Sequence, residues 1–140
     1  MEILVDSNVL LDILTEDPTW YEWSAHTLER FLEDHRVCIN PVIYAEVSIG
    51  FERIEDLDAS LSQAEIGRLR IPYEAAFLAG KSYLLYRQRG GNRRSPLPDF
   101  FIGAHAAVAG MPLITRDVGR YRTYFPRLAL ICPESNNKSI

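Results

Sequence analysis

Short, unbroken apolar runs set apart by helical stretches limit most sharply how this chain can fold. Ile3-Leu4-Val5, Val37-Cys38-Ile39, Leu113-Ile114 and Ala129-Leu130-Ile131 are each too short for a helix and carry no polar residue. A strand with one wet face alternates apolar and polar residues, whereas a strand buried on both faces reads as continuously apolar. Helical stretches lie between these runs. Asn8 can cap a first helix over 9–14, and after the break at Asp17-Pro18-Thr19 a second spans about 20–33 with Trp23, Leu28, Phe31 and Leu32 turned inward. Pro41 suits the first turn of a third, running to about Gly50. A charged helical stretch covers about 54–69, Pro72 opens a long helix to about Arg89, and an almost wholly apolar helix follows over 99–109. This alternation predicts an α/β fold of three layers, α/β/α, around a small central parallel sheet. One domain is expected over residues 1–133, with a disordered tail at 134–140.

Composition excludes several classes. With 140 residues and 47% hydrophobic content the chain needs no staples to fold. Cys38 and Cys132 belong to no CxxC or Cys/His cluster, so they read as small buried hydrophobes and a zinc site is not expected. The N-terminus lacks the basic and long apolar regions of a secretory signal. The longest uncharged stretch, 100–115, is broken by Gly110-Met111-Pro112 and falls short of the ~20 residues that span a bilayer. A cytoplasmic protein without membrane attachment is expected. The net charge of −4 and pI near 5.4 do not announce a nucleic-acid binder, since phosphate backbones favour basic surfaces. An acidic metal site with a local basic patch is nevertheless compatible with RNA.

Four acids stand where plain packing would not put them. Asp6 and Asp117 directly follow apolar strand runs, and in an open parallel sheet ligands bind outside the carboxyl ends of the strands. Either can also be a turn former. Glu46 has Val42, Ile43, Ile49 and Gly50 at helical spacing, which places it within an apolar face. A carboxylate there needs a metal, a cation or a backbone partner. Asp99 heads an uncharged helix, either as its cap or as one wall of a site. Asp12, with mostly polar helical neighbours, is expected on the solvent side. His26, His35 and His105 lack ligand-spaced partners and are expected to be structural or surface residues. Carboxylates without histidine or cysteine make a hard oxygen site, suited to Mg²⁺ or Mn²⁺. Such an ion lowers the pKa of bound water, and the chemistry implied is phosphodiester hydrolysis.

In order and spacing, Ile3-Leu4-Val5-Asp6-Ser7-Asn8, Ile43-Tyr44-Ala45-Glu46, Asp99-Phe100-Phe101-Ile102-Gly103 and Leu113-Ile114-Thr115-Arg116-Asp117 resemble the motifs of the PIN-domain ribonucleases, and among them the VapC toxins of toxin–antitoxin modules. The resemblance covers essentially the whole chain. It implies that Asp6, Glu46, Asp99 and Asp117 bind Mg²⁺ or Mn²⁺ and carry catalysis, with Asp117 the least essential, and that Ser7, Asn8 and Thr115 support them. It further implies cleavage of structured RNA such as tRNA or rRNA, a homodimer, and a cognate antitoxin whose tail lies in an apolar groove. Phe51 and Ile54 are candidates for that groove or ordinary core residues. The chain departs from the family pattern around Asp117-Val118-Gly119-Arg120-Tyr121, where many relatives carry an Asp-Phe pair.

For RNA, Arg87, Arg89, Arg93 and Arg94 flank Gly90, Gly91 and Asn92 in a loop over 88–98 just before Asp99, and Arg116, Arg120 and Arg122 can add to them. A solvated charged loop is the plain alternative. A dehalogenase-type phosphatase needs an Asp where Asn8 stands, and a receiver domain needs one where Asn40 stands. A non-catalytic PIN-like module that binds RNA or a partner, and a nuclease acting on DNA, remain open.

Overall fold

The computed structural model describes residues 1–91 and 97–134. Arg93, Arg94 and the expected tail beyond Glu134 lie outside the described residues. The chain opens with β1 (Glu2–Val5), α1 (Ser7–Leu14), α2 (Tyr21–Leu32) and β2 (Arg36–Ile39). It continues through α3 (Pro41–Ser48), α4 (Ile54–Gln63), β3 (Gly67–Arg68) and α5 (Tyr73–Gln88), and closes with α6 (Leu97–Ala109), β4 (Leu113–Ile114), α7 (Gly119–Tyr124) and β5 (Leu130–Ile131).

The five strands pair in parallel in the order β3-β2-β1-β4-β5, with Leu4 opposite both Cys38 and Leu113. Ile3, Leu4 and Val5 point alternately to the two faces, yet all three are fully buried. Helices therefore cover both faces, and the parallel α/β architecture read from the apolar runs is the one adopted. Val9, Ile43, Val47, Phe100, Ile102 and Ala106 pack into the same core. No helix of the described residues is long and apolar enough to cross a membrane.

Local chemistry sets the helix ends. Asp6, not Asn8, caps α1: its carboxylate accepts from the Ser7 amide at 2.8 Å, so the helix starts earlier than expected. Asn40 caps α3, its Oδ1 accepting from the Ile43 amide at 2.9 Å, with Pro41 at the first helical position. That bond turns Asn40 Nδ2 toward His105 Nδ1, 3.0 Å away. Nδ1 must accept, and burial holds His105 below its ordinary range, so a neutral ring ties α6 to α3. The charged stretch over 54–69 is not one helix. α4 stops at Gln63, Glu65 turns the chain at φ 60, and Gly67 pairs with Cys38. α6 begins at Leu97, which leaves Asp99 in its first turn instead of at its cap.

Candidate active site

Leaving β1, the chain builds the sheet outward through β2 and β3, then returns to place β4 on the other flank of β1. The strand order thus reverses between β1 and β4, and a crevice opens there at the carboxyl ends. Asp6 follows β1, and Thr115-Arg116-Asp117 follows β4. The Asp6 amide donates to the Ile114 carbonyl at 2.9 Å, which locks the two strand ends together.

Asp6 is the centre of a hydrogen-bond cluster. Its Oδ1 accepts from the Ser7 amide, and its Oδ2 accepts from the Thr115 hydroxyl at 2.8 Å and the Tyr121 hydroxyl at 2.9 Å. Asn8 Nδ2 lies 3.4 Å from Oδ2 and 3.3 Å from Thr115 Oγ1. Ser7 Oγ donates to Glu46 Oε1 at 2.6 Å and so joins the second acid to the first. Asp99 Oδ2 accepts from Arg120 Nη1 at 2.8 Å. The Asp117 amide donates to Thr115 Oγ1 at 3.1 Å, while Asp117 itself is exposed at the rim. Ser7, Asn8 and Thr115 thus each touch at least one of the four acids. Among the described residues no three acidic, histidine or cysteine side chains are drawn into a ready-made ligand cage. Each of the three inner acids instead turns toward an internal donor.

Electrostatics nevertheless couple them. Burial pushes Asp6 up to about 6; the Thr115 and Tyr121 hydrogen bonds work against this, and the Glu46 charge adds to it. Burial, then the charge of Asp6, pushes Asp99 up to about 7; Arg120 opposes the shift, while Glu46 and Asp117 add to it. Tyr121 is held well above its ordinary range by burial and by Asp6 and Asp99. These carboxylates lack sufficient counter-charge, and the donor set is entirely oxygen. Such a set fits a hard divalent cation.

The shifts have a measurable consequence. Asp6 and Asp99 bind protons more tightly folded than unfolded, so stability falls as pH rises from the ordinary carboxylate range, near 3.8, through about 7. Below that window both states are protonated; above it both are ionised and the full cost is felt. In EDTA the protein is expected to melt at higher temperature at pH 5 than at pH 8, with Asp6 alone contributing on the order of 1 kcal/mol of that difference, since part of its cost is already felt at pH 5. Thermal melts across this range check it, and Asp99→Asn should flatten the dependence.

Some placements differ from the sequence reading. Ile49 does not join Glu46 in a buried apolar face: it caps the C-terminal end of α3 with helical backbone angles, but its side chain is 86% exposed. Asp12 is buried, not on the solvent side. It accepts from Ser24 Oγ at 2.8 Å and from Arg116 Nε and Nη2 at 2.7 and 3.0 Å. α2 and the segment after β4 bring these partners, which the spacing within α1 does not reveal. Arg116 also lies over the Trp20 ring, 5.4 Å from its centroid. Arg87 and Arg89 are exposed, over Tyr83 and Tyr124. Tyr121 and the Arg120–Asp99 pair were not anticipated. An aromatic hydroxyl shortly after the last acid was the available signal.

Fold and pocket together define a parallel α/β protein built around an acidic, oxygen-only crevice. The PIN-domain sequence model matches residues 3–126, and the chain belongs to the PIN-domain family. No curated protein matches it by search. Among solved structures it is similar to VapBC2 from Rickettsia felis bound to a promoter DNA fragment, with 20% identity, TM-score 0.73, and coverage of 96% of this chain and 100% of that one. It is also similar to VapBC-1 from nontypeable Haemophilus influenzae, with 20% identity, TM-score 0.69, and 94% and 98% covered. A toxin–antitoxin complex from Klebsiella pneumoniae matches with 20% identity, TM-score 0.64, and 94% and 98% covered. At such identities the likeness shows a shared fold.

Proposed function

We propose that this chain, a single PIN domain over residues 1–133, is a divalent-metal-dependent endoribonuclease and the toxin of a toxin–antitoxin pair, acting in the cytoplasm on structured RNA such as tRNA or rRNA. The observation that carries this reading is the crowding of Asp6, Glu46 and Asp99, with Asp117 at the rim, at the sheet's switch point, where burial and mutual repulsion hold Asp6 and Asp99 in need of a cation. Asp6, Glu46, Asp99 and Asp117 would hold Mg²⁺ or Mn²⁺. When bound, such a cation offsets the carboxylate charge, polarises the phosphodiester and acidifies the attacking water. The chain's own residues aim the ligands beforehand. Thr115, Tyr121 and the Ser7 amide fix Asp6, and the Ser7 hydroxyl fixes Glu46.

Substrate and partners follow the same logic. Arg87 and Arg89 offer RNA a basic surface, and Arg93 and Arg94, which lie outside the described residues, belong to the same proposal from the sequence alone. Arg116 faces Asp12 and needs to leave it before touching RNA. The similar structures include VapBC and toxin–antitoxin complexes, which supports an antitoxin as partner. Ile54, at 62% exposure, joins Ile49 as apolar surface just after α3, whereas Phe51 packs against the core. A homodimer is part of the same proposal.

The test is cleavage of total cellular RNA by partner-free protein, with Mg²⁺, with Mn²⁺ and with EDTA. Cutting at a few sites is expected, abolished by EDTA and by Asp6→Ala. Wild type cutting neither RNA nor DNA better than Asp6→Ala would replace the enzyme with a binding module.

A further inference from the structure

Arg116 and Arg120 both follow β4, and each is paired with a different acid. Arg116 is pinned by two hydrogen bonds to the buried carboxylate of Asp12 and by the face of Trp20. Arg120, in the first turn of α7, donates from Nη1 to Asp99 Oδ2 at 2.8 Å, its one hydrogen bond to an acid among the described residues. Its guanidinium lies over Tyr86 and Phe100, 5.4 and 6.0 Å from their centroids, and its side chain keeps 28% exposure. A guanidinium is a flat fork of five donors that matches phosphate oxygens in pairs. Asp99 uses one arm of that fork, while the aromatic faces support the plane from below. Arg120 is therefore attached to the acidic pocket by a single hydrogen bond to a carboxylate, over two aromatic rings, and is partly open to solvent.

The pocket creates the need for that exchange. A cation binding at Asp99 competes with Arg120 for the same carboxylate. An RNA phosphate entering a crevice lined by acids brings more negative charge and needs a positive group beyond the cation. Resting on the nuclease reading above, we propose that Arg120 is the phosphate-binding residue of this site. It pairs with Asp99 in the absence of a cation. When a divalent ion claims that carboxylate, it turns its fork onto the phosphodiester while staying over the Tyr86–Phe100 shelf.

The two halves are measured separately on full-length protein. Mn²⁺ alone is titrated into wild type, Arg120→Ala, Arg120→Lys and Asp6→Ala, with free Mn²⁺ read by electron paramagnetic resonance. Removing the competing guanidinium is expected to tighten Mn²⁺ binding in Arg120→Ala by about fivefold. At saturating Mn²⁺, Arg120→Ala is expected to need about tenfold more RNA for half-maximal cleavage, the scale of one charge-assisted contact. Arg120→Lys, lacking the fork, recovers only part of this. Unchanged or weaker Mn²⁺ binding in Arg120→Ala, or an unchanged RNA requirement, overturns the proposal. Failure of the nuclease reading looks different. Wild type would then match Asp6→Ala in both measurements, and the Arg120 proposal would fall with it.

Discussion

Asp99→Asn is expected to disable the protein and stabilise it in the same stroke. The amide keeps the size of the side chain but removes a negative charge that burial, Asp6, Glu46 and Asp117 all disfavour. At pH 8 the native acid is held ionised against that environment, whereas the amide resembles the protonated form that the environment prefers. The lost Arg120 bond offsets part of the gain, because it is a partly exposed pair. A net stabilisation of roughly 1–3 kcal/mol is expected in EDTA at pH 8, seen as a melting temperature higher by several degrees. On the nuclease reading proposed above, the same change would remove a cation ligand, so RNA cleavage should fall by about a thousandfold, the scale of losing one essential group in a preorganised site. The stabilisation that Mg²⁺ gives wild type, about 2.7 kcal/mol at a hundred times its dissociation constant, should vanish as well. A variant that melts lower than wild type in EDTA and still responds to Mg²⁺ would show that Asp99 is an ordinary first-turn acid of α6. Such opposition between stability and activity is the mark of a site in which charge is stored for a ligand.

The strands around this pocket were legible because burial on both faces leaves only apolar residues, as in Ile3-Leu4-Val5. β3 was not, since Gly67-Arg68 carries no apolar signature and is a strand only through its pairing with Cys38 and Ile39. The four acids stood out because each breaks an apolar context or ends a strand. What their neighbours do was harder to read. The neighbours of Asp12 on its own helix are mostly polar and point to solvent, but its partners Ser24 and Arg116 come from α2 and from beyond β4. Tyr121 looks like an unremarkable residue between two arginines, yet its hydroxyl reaches Asp6 from the far end of the chain. Gly103 likewise reads as one small residue in an apolar helix. A Cβ there would come within 2.6 Å of the Phe125 ring, so the close approach of α6 to the segment holding Tyr121 depends on its absence. Short-range spacing carries the elements and the acids. Side chains that meet across the sheet's switch point are set by tertiary packing, which one sequence does not display.

That packing can be tested at the residue next to Asp99. Phe100 is fully buried, and its ring meets Tyr83, Tyr86, Tyr124 and Phe125 at centroid distances of 5.6, 5.4, 5.4 and 6.3 Å. Phe100→Ala removes the centre of this cluster, and five-ring packing of this kind does not close over the gap without cost. The expected loss is about 3–5 kcal/mol, because the cavity adds to the lost transfer energy of the ring. For a chain of this size that lowers the melting temperature by roughly 10–20 °C. Phe100→Leu retains most of the volume and should cost much less, about 1 kcal/mol. The ring also forms part of the surface beneath Arg120, and its backbone adjoins Asp99. Phe100→Leu is therefore expected to fold but to cleave RNA less well than its stability predicts, since the guanidinium loses one of its two aromatic supports. Thermal melts of both variants, with cleavage measured well below their midpoints, separate the two effects. Equal stability of Phe100→Ala and wild type would mean that the aromatic cluster is not the keystone of α6. Full activity in Phe100→Leu would mean that the cluster supports the fold without shaping the site.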